Sequence, residues 1–176
     1  MFLFIGQGFS GWAQTKSYEI DVENSQIEFN VSHLGVLNVK GTFNTFEGLL
    51  VFSENELQEV QSAIDAKSIK TKDEKRDETL RDTPYLNVEE YPKIYFTSSA
   101  IEDNNTTKTI TGILRIKDIE KMISFPFEYA ILKEGINAII VETAINRKEF
   151  GLDFGSMNAL VGNQVKVTLR IGYSAN

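Results

Sequence analysis

Polar and apolar residues alternate in the early part of the chain, and a period of two is typical of β-strands with one buried face. In residues 25–31 the apolar positions Ile27, Phe29 and Val31 share one face, and polar residues occupy the other. The alternation resumes in residues 37–43 after a short break. The pattern therefore predicts two neighbouring strands of an antiparallel meander.

One glycine interrupts the second of these strands. Gly41 lies in its middle, on the apolar face. A missing side chain at such a position indicates a sharp bend, a bulge or the close approach of another part of the chain. We therefore expect the sheet to curve or to be crowded at this point.

The rest of the chain predicts further strands and one helix. Thr71 and Glu74 have the spacing of a capping box, and the polar segment DEKRDETLRD ends before Pro84. Leu80 is the only large apolar residue of this short helix, which we expect on the surface or at one end of the sheet. The further strands are predicted at residues 49–52, 60–69, 93–101, 109–116, 123–132, 136–145 and 165–173. Eight or nine strands with short links are typical of an all-β antiparallel barrel or sandwich.

The composition of the chain argues against several classes of partner and site. The 176 residues carry 18 basic and 25 acidic side chains, and the net charge of −7 repels nucleic acid and anionic lipid surfaces. Cysteine is absent, which excludes disulfides, thiolate metal sites and cysteine nucleophiles. No motif predicts a cofactor or a metal, and no segment predicts a transmembrane helix.

The first residues depart from the strand pattern. Residues 1–5 are apolar, no charge precedes Lys16, and small residues flank Trp12 as at a signal-peptidase site. We interpret residues 1–16 as the remnant of a secretory signal peptide and residues 17–176 as one domain. This interpretation predicts a periplasmic or secreted protein.

The opening segment also carries a family pattern. It resembles the opening signature of the YceI-like family of lipid-binding (polyisoprenoid-binding) proteins. The residues that carry the resemblance are Asp21, Ser25, Ile27, Phe29, Val31, His33, Gly35, Val39, Gly41, Phe43, Phe46 and Gly48.

Further motifs of the same family follow in the expected order. They are similar to an Arg-Asp pair that opens a helix, a Tyr-Pro before a Phe-bearing strand, a "G-x-L-x-I" strand, and an arginine followed by Phe-Gly. In this chain they fall at Arg76-Asp77, Tyr91-Pro92 with Phe96, residues 112–116, and Arg147 with Phe150-Gly151. Arg115, Asp118 and Met122 depart from the family pattern, which puts the shape of the hairpin turn there in question.

The resemblance implies a fold and a function. The fold would be an eight-stranded antiparallel, lipocalin-like barrel with one short helix at its end. Its apolar tunnel would hold an isoprenoid or another long-chain lipid. Elementary geometry agrees, because an eight-stranded barrel is either just filled by side chains or holds one small ligand.

Few residues are candidates for catalysis. His33 follows Ser32, but neighbours on a strand cannot face each other, so a nucleophile-base pair is disfavoured. Arg76 and Asp77 could orient a polar head group, although a helix with so many charges is usually a solvated face. Arg147 either faces a ligand or satisfies loop carbonyl groups. We therefore expect a binding protein and not an enzyme.

The first hypothesis is a carrier that holds a polyisoprenoid or fatty-acyl chain in the barrel. The alternative is a ligand-free structural or interaction module of the cell envelope, and in either case a homodimer is possible. Under the first hypothesis the candidate ligand-binding residues are Ile27, Phe29, Val31, His33, Val39, Phe43, Ile94, Phe96, Phe125, Phe127, Arg147 and Phe150.

Overall fold

A computed structural model describes residues 14–35, 37–154 and 158–174. The predicted signal segment falls mostly on residues 1–13, which lie outside this part of the chain. The described strands are β1 (Thr15–Glu19), β2 (Asp21–His33), β3 (Leu37–Phe43), β4 (Phe46–Ser53), β5 (Glu56–Asp65), β6 (Ile69–Lys70), β7 (Lys93–Asp103), β8 (Lys108–Ile116), β9 (Ile119–Pro126), β10 (Glu128–Lys133), β11 (Ile136–Asn146) and β12 (Val161–Ser174). One α-helix, α1 (Glu74–Arg81), and two 3₁₀ turns, Ala66–Ser68 and Arg147–Phe150, complete the secondary structure of the described residues.

The strands form two antiparallel sheets of six. The first sheet has the order β1-β4-β5-β7-β8-β9, and the second has the order β10-β11-β12-β2-β3-β6. The all-β class, the antiparallel pairing and the single helix are as predicted. The predicted eight-stranded barrel is not confirmed, because the described residues form twelve strands in two sheets.

The sequence pattern undercounts the strands partly because the chain passes directly from one sheet into the other at two points. The chain crosses at Ile20 between β1 and β2, and at Phe127 between β9 and β10. Pro126 ends β9, and proline has no N–H with which to continue the ladder. Phe125 and Phe127 are nonetheless both buried, so the period of two runs through the break. Alternation alone therefore predicted one strand where the structure has two.

The helix α1 docks through polar contacts. Its N-cap is Asp73, which accepts a hydrogen bond from the Arg76 backbone N–H at 3.1 Å, and not Thr71 as the capping-box spacing predicted. Thr71 instead donates to the buried Asp77 carboxylate from its backbone N–H at 2.7 Å and from its hydroxyl at 2.6 Å. The Lys70 ammonium lies 3.3 Å from the same carboxylate. Polar docking explains how a helix with so little apolar surface is held against the sheets.

These contacts set the protonation of Asp77. Desolvation by itself would raise the pKa of this carboxyl group. The two hydrogen bonds from Thr71 and the nearby ammonium of Lys70 outweigh that effect, so the pKa lies below its ordinary value of 3.8. Asp77 is therefore a charged anchor for α1 across the neutral pH range.

Two separate apolar clusters occupy the interior. Leu57 at the start of β5 belongs to one, and Ala66 just after the end of β5 belongs to the other, so the clusters lie at opposite ends of that strand. The first cluster consists of Leu50, Phe52, Leu57, Ile110, Phe125, Phe127, Ile139, Val141 and Tyr173. The second consists of Ala66, Ile69, Leu86, Val88, Ile94, Ile116 and Phe150. The predicted crowding at Gly41 is confirmed, because a Cβ there would overlap the Phe29 ring and lie 2.8 Å from the Lys70 carbonyl oxygen.

A buried ion pair closes the end of the sheets beside the first cluster. Asp103, whose side chain is almost fully buried, pairs with the Lys108 ammonium across the β7-β8 hairpin. It also accepts hydrogen bonds from the Tyr129 hydroxyl at 2.5 Å and from the Leu57 backbone N–H at 2.9 Å. Burial raises the pKa of Asp103, but these contacts outweigh burial and hold the pKa below 3.8. One carboxylate thus ties together β5, the β7-β8 hairpin and β10.

We expect the free energy of unfolding to fall as the pH drops below 3.8, the ordinary value for an aspartate. Asp77 and Asp103 have lower pKa values in the folded chain than in the unfolded chain. Their stabilising contribution is complete above the unfolded value and is lost as the pH falls through the folded values. Urea unfolding at neutral and acid pH measures this loss.

The variant Asp103→Asn isolates one of the two groups. It should be less stable than the wild type at neutral pH. Its free energy of unfolding should fall less on acidification, because the side chain at position 103 no longer titrates. Glu102→Gln, on the exposed neighbouring residue, is the matched control and should keep the acid loss of the wild type. An equal acid loss in Asp103→Asn and the wild type would contradict the assignment.

Candidate functional site

A cavity of about 510 Å³ lies between the two clusters, within the range of roughly 300–1,000 Å³ that is usual for small-molecule sites. Inward-facing side chains of both sheets line it, and most of them are aliphatic or aromatic. Phe29 and Phe43 of the second sheet form one ring pair, with centroids 5.7 Å apart. Phe96 and Phe125 of the first sheet form another at 5.4 Å. Such a lining favours a hydrocarbon over a polar ligand.

Polar side chains gather at the end of the cavity that α1 covers. Arg76 and Thr79 line it from the helix, and His33 lines it from the end of β2. Two loops add aromatic rings, since Tyr85 packs against Phe154 with ring centroids 4.9 Å apart. We call this part of the cavity the helix end.

Ten of the twelve candidate ligand-binding residues line the cavity. Phe127 and Phe150 do not, although both are buried. Phe127 lies in the first cluster at the crossing between the sheets, and Phe150 lies in the second cluster on the 3₁₀ turn. The sequence could not show which apolar side chains face open space and which are packed in a cluster.

Arg147 is fully buried and is committed to the backbone. Its Nε donates to the Gly162 carbonyl oxygen at 2.9 Å, and one terminal nitrogen donates to the Leu152 carbonyl oxygen at 2.5 Å. The other terminal nitrogen donates to the carbonyl oxygens of Asn158 at 3.1 Å and Val161 at 2.9 Å. Of the two roles that the sequence left open, the satisfaction of loop carbonyl groups is confirmed. Burial lowers the pKa of this guanidinium. Because its donors are given to backbone carbonyl oxygens, Arg147 is a structural residue at the wall of the cavity.

His33 and Ser32 point in different directions, as the strand geometry predicted. His33 lines the cavity. The hydroxyl of Ser32 instead lies against Gly162, where a Cβ would collide with it. No hydrogen bond joins the two side chains within the described residues, and no group of three or more His, Asp or Glu residues there is arranged to hold a metal ion. The site is therefore a largely apolar cavity with polar side chains at the helix end.

Sequence reasoning missed several residues of the helix end. Tyr85, Leu152 and Phe154 line the cavity from irregular segments, where no hydrophobic period exists to reveal them. The sequence raised Arg76 as a residue that could orient a polar head group, but the many charges of its helix favoured a solvated face. The one available signal was the resemblance of the Arg76-Asp77 pair to a family motif.

The family model of the YceI-like domain matches residues 18–173. The chain belongs to the YceI-like family. The recognition made from the short motifs is thereby confirmed over nearly the whole described chain.

Individual known proteins are moderately similar to this chain. A UPF0312 protein from Yersinia enterocolitica is 33% identical over 119 residues, which span 65% of this chain and 62% of that relative. The crystal structure of BcnA from Burkholderia cenocepacia has a TM-score of 0.79 at 20% identity and covers 87% of this chain and 98% of BcnA. A polyisoprenoid binding domain from Saccharophagus degradans, implicated in plant cell wall breakdown, has a TM-score of 0.71 at 16% identity. The match covers 90% of this chain and 98% of that domain. These two structural likenesses show a shared fold.

The substitution Arg147→Met tests the structural role of the buried guanidinium. It should lower the free energy of unfolding by about 3 kcal/mol, because each buried carbonyl left unpaired costs roughly 1–3 kcal/mol. Lys148→Met, at the exposed neighbouring position, is the control and should change stability little. Urea unfolding of both variants measures the difference, and equal midpoints would refute the anchoring role.

Proposed function

We propose that this protein is a carrier that binds a single long apolar chain, polyisoprenoid or fatty-acyl, in the cavity between its sheets. The observation that carries the proposal is the cavity of about 510 Å³, which both sheets line with apolar side chains. The fold shared with a polyisoprenoid binding domain supports the same ligand class. In architectural terms we propose that the sheets act as the walls of one lipocalin-like container.

Hydrocarbon burial supplies the driving force. Each methylene group removed from water contributes about 0.8 kcal/mol, so a long chain is retained without many polar contacts. A lining of rings and branched aliphatic groups distinguishes poorly between one chain and another. We therefore propose a broad preference among apolar chains of suitable length.

The alternative of a ligand-free module has less support. It requires an interior filled by side chains, and an open cavity of this volume argues against that. The predicted homodimer stays a prediction. Ile113 and Met122, which are cross-strand partners on β8 and β9 and are 40% and 69% exposed, offer an apolar surface for it.

We further propose that the protein has no catalytic role and works outside the cytoplasm. The first point is supported by the separation of His33 from Ser32 and by the commitment of Arg147 to backbone carbonyl groups. The second rests on the signal-like residues 1–16. Among the described residues, no helix has the length and apolar character needed to cross a bilayer.

Native mass spectrometry of protein purified without detergent, followed by organic extraction, tests the proposal. We expect one long-chain species for each protein chain. A mass that stays unshifted even after polyisoprenoids and fatty acids are added would overturn the carrier function.

A cavity-filling variant locates the ligand. Val167 lines the cavity, so Val167→Phe should reduce lipid occupancy severalfold while the protein stays folded, because the larger side chain enters open space. Val22→Phe introduces the same change on an exposed residue outside the cavity and should keep the occupancy of the wild type. Equal occupancy in the two variants would place the ligand elsewhere.

A further inference from the structure

One cation in the cavity lining keeps hydrogen-bond donors free. The charged or titratable side chains among the lining residues are Glu28, His33, Arg76 and Arg147, with Tyr85 as a phenol. Arg147 gives its donors to carbonyl oxygens, as described above. Glu28 is exposed, on the opposite face of β2 from Ile27, and it accepts a hydrogen bond from Gln26 at 3.1 Å. Of the two lining arginines, Arg76 is thus the one that can serve a ligand.

Arg76 is held in place by one edge of its guanidinium. Its Nε donates to the Thr71 hydroxyl oxygen at 2.9 Å. That hydroxyl has a single proton, and its shortest contact, 2.6 Å, is with the ionised Asp77 carboxylate. The hydroxyl therefore donates to Asp77 and accepts from Arg76, so the buried carboxylate fixes the orientation of the guanidinium through Thr71.

The other edge of the guanidinium is almost free. Within residues 14–35, 37–154 and 158–174, no hydrogen bond engages the two terminal nitrogens of Arg76. The nearest carboxylate oxygen, on Asp73, lies 4.0 Å from one of them. Both side chains are partly exposed, and an ion pair at that distance contributes little. A guanidinium with two adjacent free N–H groups matches the geometry of a carboxylate or a phosphate.

The position of Arg76 relative to the apolar lining completes the argument. The hydrocarbon lining extends from the first cluster to the helix end, where Arg76 and Thr79 are three residues apart and lie on the same side of α1. A chain lying in the cavity would place its head at this end. Arg76 would meet that head where the lining changes from apolar to polar.

We propose that the ligand carries an anionic head group, a carboxylate or a phosphate, and that Arg76 binds this head group while the chain fills the cavity. The inference rests on the proposed carrier function and adds the chemical class of the head. Thr71 and Asp77 act as positioning residues for the guanidinium.

A displacement assay tests this inference. The neutral fluorescent probe N-phenylnaphthylamine is displaced by ligands that have the same chain and different heads. The ligands are dodecanoate, dodecyl phosphate and dodecanol. For Arg76→Gln we expect dodecanoate and dodecyl phosphate to bind about tenfold more weakly than to the wild type, with dodecanol unchanged. Lys75→Gln removes the same charge from an exposed residue of α1 that does not line the cavity, and it should bind all three ligands as the wild type does. Urea unfolding verifies that both variants are folded.

The other outcomes separate the inference from the function on which it rests. If Arg76→Gln changes the affinity for all three ligands equally or for none, or if Lys75→Gln has the same effect, the head-group role is overturned and the carrier function stands. If the wild type binds none of the three chains, the carrier function fails and the inference fails with it. Acetate and inorganic phosphate carry the head without the chain and should leave the probe bound. Displacement by either would indicate a small-anion site and overturn the assignment to a lipid.

Discussion

The structure depends on one constraint, which is that the two sheets are joined at their ends without being packed together in the middle. Protein interiors normally close to the density of a crystal, so an open volume between two apolar faces needs support at its edges. Here the support comes from two apolar clusters at opposite ends of β5 and from strands that cross from one sheet to the other. The cavity is the space that these joints keep open.

Polar contacts at the two ends of the sheets fix the positions of the elements there, which apolar packing alone cannot do. Asp103 joins three separate segments near the first cluster, Asp77 holds a helix with little apolar surface, and Arg147 gathers the carbonyl groups of a loop. Each of these charges is costly to bury, and each is compensated by several hydrogen bonds or an ion pair. Such contacts are directional, so they fix the position of each end element and leave the apolar middle free.

The contrast between regular strands and contacts at the ends of the sheets explains which features the sequence could predict. Alternation found the inward faces of β2, β3 and β7, and with them cavity residues such as Phe29, Phe43 and Phe96, because a strand exposes its period directly. It could not count the strands, because the period of two continues through Phe127 where the chain changes sheets. It could not find Phe154, which lies in an irregular loop, or the burial of Asp77, because a helix pattern dominated by charge predicts a solvated surface. Those features depend on contacts between segments that are far apart in the sequence.

If the protein is the lipid carrier that we propose, its selectivity depends on the same arrangement. Burial of methylene groups contributes nearly equally for every apolar chain, so the middle of the cavity can retain a lipid without recognising which lipid it is. Recognition needs groups with direction and charge, and Arg76, Thr79 and His33 supply such groups at the helix end. Arg76 is oriented there before any ligand arrives, through Thr71 and the buried Asp77, so little conformational freedom is lost when a head group binds. In the carrier that we propose, the anchor that docks the helix is therefore also the group that orients the head-group contact, so fold and specificity would share one buried carboxylate.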